Sequence, residues 1–302
     1  MEPPGTGRAL AAGWRAAASS AWLAPVGLLV ALARGALALP ASLLAWVVLV
    51  RGAMAGVARD GPFPEAVLSG ALEALAAPRR LAVLAGLWAA GALLSAALRA
   101  AYLAGALPTL GAALAGDPEP RQFATGLAFR FPRVAATALL AFLLDLGGLL
   151  VGAAAALGTV LVSARAPASP SPGLAAFLGA GAITAALLLP FALTTLGDAA
   201  VARAAIRDDP PFQALVRATR RFLERPGAFL LAMLAVGAFG TALAASGQSL
   251  FALVTGFAAR EPAWLLLGPQ LMAGSLTALL AAWVDLWRLG AVAVLACHAE
   301  PA

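Results

Sequence analysis

The chain has 302 residues, 62% of them hydrophobic and 11% charged, with a mean hydropathy of +0.92. A soluble domain carries roughly 45–50% apolar and about 25% charged residues, so this much apolar surface exceeds what one core hides, and lipid is the expected solvent. The net charge of +6 rests on 20 basic residues, all of them Arg; in a membrane chain Arg marks loops and orientation, so the charge is no signal for nucleic acid.

One cysteine, Cys297, and one histidine, His298, rule out an internal disulfide and any Cys/His metal set. No cofactor signature is present, and a Ser-His-Asp triad would have to use His298 near the C-terminus. The absence of Lys and the abundance of Ala suggest a GC-rich bacterial genome.

In chain order, residues 1–20 read as an N-terminal tail, either a short interfacial helix or loose, and residues 21–302 as a single transmembrane domain. A first span covers Ala21–Val50, enough for one tilted helix. Arg residues before an apolar run also fit a signal peptide, but the run is too long for its usual apolar region. Arg59-Asp60-Gly61-Pro62 ends the span, and Pro64 with Glu65 suits the start of a new helix. Over 64–77, Glu65, Ser69 and Glu73 line one stripe and Leu68, Leu72 and Leu75 another, which predicts an amphipathic helix at the membrane surface.

The second span runs from Leu81 to about Leu107 and contains Arg99. A Gly116-Asp117-Pro118 loop and a short apolar segment from Phe123 to Phe131 precede the third span, Val134 to about Val162, which contains Asp145. Residues 163–173, rich in Ser and Pro, read as a linker. The fourth span is Leu174–Leu196, closing at Gly197-Asp198. Residues 203–227 carry the densest charge in the chain. Within them Phe212, Leu215, Val216, Thr219 and Leu223 form one helical face, and Gln213, Arg217, Arg220, Arg221 and Glu224 the other. This is a basic amphipathic helix for a membrane surface. The fifth span begins at Ala228, and the sixth, after Arg260-Glu261-Pro262, contains Asp285 and Arg288.

Two internal similarities organise these elements. The joints at 59–63, 116–123 and 207–212 each combine Asp, Pro and a following Phe. Thr137-Ala138-Leu139-Leu140-Ala141 with Asp145 matches Thr277-Ala278-Leu279-Leu280-Ala281 with Asp285 at a constant offset of 140 residues. The expected fold is therefore all-α and polytopic, with six transmembrane helices and interfacial amphipathic helices between them. Half-repeats 21–162 and 174–297 would form an inverted 3+3 pair of the kind used by transporters; chance likeness of Ala/Leu-rich helices stays open beside it. With six spans, one side collects Arg8, Arg15, Arg121, Arg130, Arg133 and the Arg residues of 203–225, which places both termini in the cytoplasm of a bacterial inner membrane. The four Arg of the first loop argue against it.

Asp145 is the sharpest candidate for chemistry, because a carboxylate in mid-span is costly unless neutral, paired or facing water. It reads either as a coupling group for protons or ions, or as the partner of Arg99 in a packing contact. Asp285 and Arg288, three apart, can pair on one helical face between Trp283 and Trp287, which suits a membrane interface. Arg217, Arg220 and Arg221 can meet anionic lipid headgroups, meet a partner protein or second copy, or serve only as an orientation anchor.

Tyr102 and Gly105, then Gly116-Asp117-Pro118 and Phe123, with Asp198, Arg203, Arg207-Asp208-Asp209-Pro210 and Phe212, resemble a group of bacterial six-helix integral membrane proteins. That group includes the membrane domain attached to some glycerophosphoryl diester phosphodiesterases, and the resemblance covers residues 60–297. It implies a membrane fold; the phosphodiesterase catalytic domain is not in this sequence, so that activity does not carry over. The leading expectation is a non-enzymatic transporter-like or permease-like module. The competing one is a scaffold or accessory subunit that binds lipid or a partner through 203–227.

Overall fold

The computed structural model describes residues 5–61, 64–117, 119–165, 172–258 and 264–297. These form nine helices and, among the described residues, no strand. The helices are α1 (Thr6–Ser19), α2 (Leu23–Asp60), α3 (Pro64–Ala76), α4 (Pro78–Leu114), α5 (Arg121–Arg165), α6 (Pro172–Ile206), α7 (Pro211–Glu224), α8 (Pro226–Ala258) and α9 (Trp264–Cys297). Six are long and apolar enough to cross a membrane, with stretches at Leu23–Asp60, Pro78–Leu114, Arg121–Ala155, Leu188–Ile206, Pro226–Ser249 and Gly274–Cys297. The fold is that of an all-α, multi-pass membrane protein. Helix is the expected state for such segments, because lipid offers no hydrogen bonds and the backbone must satisfy itself.

Proline sets the helix starts: Pro64, Pro78, Pro172, Pro211 and Pro226 each open an element, where the missing N–H costs nothing. The stops share a left-handed residue. Gly61 (φ 85°) follows α2, Gly116 (φ 91°) follows α4, and Asp208 (φ 61°) follows α6. After α4, the Asp117 amide reaches back to the Ala112 carbonyl at 3.0 Å, satisfying an orphan acceptor at the helix end. The three joints recognised in the sequence are thus three helix stops of one backbone type; Pro62, Phe63 and Pro118 lie outside the described residues.

Several boundaries differ from the sequence reading. Of the two readings of the N-terminal tail, the helix holds for Thr6–Ser19 (α1), though Ala9, Ala16 and Ala17 are buried against the protein. The short segment 123–131 and the third span are one helix, α5, running through Pro132. Likewise α4 continues past Leu107 through Pro108 to Leu114, since Pro is tolerated inside membrane helices. The fourth span does not close at Gly197-Asp198 but continues to Ile206; a Cβ at Gly197 would sit 2.8 Å from the Ala141 Cβ, so this glycine allows a close approach of α5 and α6. The expected linker 163–173 is helical at both ends, with α5 reaching Arg165 and α6 starting at Pro172; 166–171 lie outside the described residues.

The chain forms two compact units, Met1–Gly27 with Ala100–Ala302, and Leu28–Arg99. In the larger one, α5 packs along α6, α8 along α9, α6 against α9, and α1 against α9. Gly13 and Gly290 let α1 and α9 meet at backbone distance, a Cβ at Gly13 falling 2.5 Å from the Ala291 nitrogen. Trp14 stands edge-on to Trp283 (4.3 Å) and Trp287 (5.1 Å), and the Trp287 indole donates to the Leu10 carbonyl at 2.9 Å. In the smaller unit, Arg34 donates to Ser95 Oγ at 2.8 Å between α2 and α4. There α3 lies on α2 through Ala66, Gly70 and Ala74, against Gly52 and Gly56. Large side chains such as Leu43, Trp46, Met54, Trp88 and Leu93 face outward, as small-residue helix contacts in lipid require.

Candidate functional site

The charge-dense segment 203–217 gathers the larger unit around it. Arg203, on the last turn of α6, is 2% exposed. Its Nε donates to Asp209 Oδ2 at 2.9 Å and its Nη1 to the Ala296 carbonyl at 2.9 Å. Arg207 donates to the Cys297 carbonyl at 2.6 Å. The last carbonyls of α9, which have no intrahelical donor, thus receive two guanidinium groups, and the positive charges also suit the negative end of the helix dipole. The end of α6 is held in the same way: Arg130 of α5 donates to the Ala205 carbonyl, and Arg133 pairs with Asp208, donating also to its carbonyl at 3.0 Å. That grip holds Asp208 in its left-handed conformation, which Asp tolerates better than most residues.

Asp209 is the centre of this knot. It is buried, and its second oxygen accepts from Arg217 of α7. Earlier on α6, Asp198 accepts from Arg288 Nη1 at 2.7 Å, while Arg288 Nε reaches Asp285 Oδ1 at 2.9 Å. The expected local pair Asp285–Arg288 is therefore present, and Asp198 turns it into a tie between α6 and α9. The sequence closed the fourth span at Gly197-Asp198 and placed Arg203 only within a charged segment, without their partners. The available signal was the alternation of Arg and Asp in one short window, together with unpaired helix-end carbonyls that must find donors.

Residues 130–133, 203–217 and 296–297 meet at one end of the bundle. This is the grouping of loops that six alternating spans demand.

The other candidates are placed as follows. Asp145 is half-buried on α5 and Arg99 half-buried on α4; each has an interaction of its own, and neither is free. Arg217 turns inward to Asp209. Arg220 and Arg221 both pair with Glu224, at 3.3 and 3.2 Å. The face that seats α7 on the protein was not foreseen. It is the small stripe of Ala214 and Ala218, both fully buried, with Arg221 turned toward it. Phe212, Val216 and Leu223 point away from the protein.

The buried hydroxyls of Thr109, Thr137 and Thr195 each donate to the carbonyl four residues back in their own helix. Among the described residues no three His, Cys, Asp or Glu side chains are placed to hold a metal ion. Compared with protein-family models, curated proteins and solved structures, the chain matches none of them.

Proposed function

We propose that this chain is a non-enzymatic membrane scaffold or accessory module of a bacterial inner membrane, with its termini in the cytoplasm and α7 at the lipid surface. The observation that carries this is the use of its buried charge. Asp198, Arg203 and Asp209 are matched to guanidinium groups, carboxylates or helix-end carbonyls at one end of the bundle. Charges committed in this way tie helices together; a coupling site needs a group that changes partners. The cytoplasmic assignment rests on the Arg excess of that end.

Transport is the second reading, favoured by Asp145, half-buried within an apolar stretch of α5. Proteoliposomes separate the two. The scaffold predicts no proton or ion flux above empty vesicles, and no change in Asp145→Asn. A flux in the parent that Asp145→Asn abolishes would replace it with transport.

Topology is tested by single cysteines at Ser69 and Arg220 in a Cys297→Ser background. Both residues are on exposed faces of α3 and α7. Labelling from opposite sides of the membrane is expected, as six spans and an inverted repeat require; labelling from one side ends the inverted-repeat reading.

A further inference from the structure

We propose that the outward face of α7 binds an anionic phospholipid, with the acyl chain against its apolar stripe and the phosphate at Arg220. This builds on the reading of α7 as an interfacial helix. Ala214 and Ala218 seat the helix, so its bulky apolar residues are left over: Phe212 is 71% exposed, Val216 52% and Leu223 70%. Beside them lies a groove of about 600 Å³ lined by Leu215, Val216, Thr219 and Leu223, with Arg220 and Glu224 as its charged residues. An open apolar groove with a charged rim matches the boundary between acyl chains and headgroups.

Charge decides the headgroup. Asp209 is shared by Arg203 and Arg217, and Glu224 by Arg220 and Arg221. Along Pro211–Glu224, α7 carries three Arg (217, 220 and 221) and one Glu (224), a net charge of +2 on the helix. The Arg220 side chain is 82% exposed, so its planar fork, held at one edge by Glu224, can still present donors to a phosphate oxygen pair. A zwitterionic headgroup would bring its own cation against the same surface. The α3 helix supplies a built-in contrast: it also exposes Leu68 and Leu72, but the charges around it balance, Asp60, Glu65 and Glu73 against Arg59, Arg79 and Arg80, with Arg59 paired to Glu73 and Arg80 donating to the Ala74 carbonyl.

The experiment titrates the purified full-length chain in detergent with phosphatidylglycerol or phosphatidylcholine of the same acyl chains, read by native mass spectrometry. Phosphatidylglycerol is expected to bind about tenfold or more tightly than phosphatidylcholine. Arg220→Gln should lose about fivefold, the worth of roughly one surface charge, and Arg220→Glu more. Val216→Trp, filling the groove at an exposed position, should weaken both lipids, and Arg59→Gln should change neither.

Equal affinity for the two lipids overturns the proposal. So does an Arg220→Glu variant with an unchanged melting temperature and unchanged binding, or an equal loss in Arg59→Gln. A photo-crosslinker at Leu223 in native membranes adds a direct readout: an adduct with lipid supports the proposal, and an adduct with a protein or a second copy overturns it. Vesicle flux tests the scaffold and lipid titration tests this groove, so the two fail separately.

Discussion

The α3 and α7 helices look like copies. Each follows a membrane-length helix and a left-handed stop, at Gly61 and Asp208. Each opens on Pro, docks through small residues four apart, and turns large apolar side chains outward. They are fixed by different physics. At α3 the contact is backbone on backbone: a Cβ at Gly70 would meet the Gly56 Cα at 2.8 Å, and the ion pair Arg59–Glu73 beside it, at 2.6 Å, is exposed. At α7 the anchor is a desolvated carboxylate, Asp209, held by two guanidinium groups. One sequence signature therefore covers a joint held by close packing and a joint held by buried charge.

The largest effect should come from breaking the buried charge. Arg203→Ala leaves Asp209 buried with half its counter-charge and the Ala296 carbonyl without its donor. A loss of about 3–5 kcal/mol is expected, read as a lower melting temperature in detergent and faster hydrogen exchange in α7 and at the end of α9. Replacing the pair together, Arg203→Met with Asp209→Leu, should recover much of that loss, because removing both charges also removes their desolvation cost. If the double variant is as unstable as the single one, the carbonyl contact rather than the ion pair is the anchor.

Gly70→Val tests the other joint. It forces a side chain into the backbone of α2, with an expected cost of about 1–3 kcal/mol. Hydrogen exchange should rise in α3 and stay unchanged in α7; equal protection loss in both would erase the distinction between them. Arg59→Ala should have the smallest effect, with no resolvable change in melting temperature, since an exposed pair is screened by water and salt. A clear drop there would show that α3 also depends on charge.

Composition alone placed the chain in lipid, and apolar run length gave the six spans. The three stops were visible as Asp, Gly and Pro in short windows, because the left-handed backbone and the helix start each demand particular residues. Boundaries were harder to read. Pro108, Pro132 and Gly197 look like breaks in one dimension, but in a membrane the helix runs on through them, and glycine serves as a contact as readily as a stop. Local pairing was also legible: Asp285 and Arg288 lie one helical turn apart, and the structure joins them.

The segment 203–227 marks the division. Its sequence alone determined that a short, charged amphipathic helix lies there, because periodicity and Pro fix a local conformation. Which of its charges would be buried was a matter for tertiary structure. Arg203 and Arg217 are alike as residues; one is sealed against Asp209 and the end of α9, while the other reaches the same carboxylate from the surface. Partners 90 or more residues apart, such as Arg203 with Ala296 and Arg288 with Asp198, meet only once helix packing has brought the ends of α6 and α9 together, and local spacing carries no record of that.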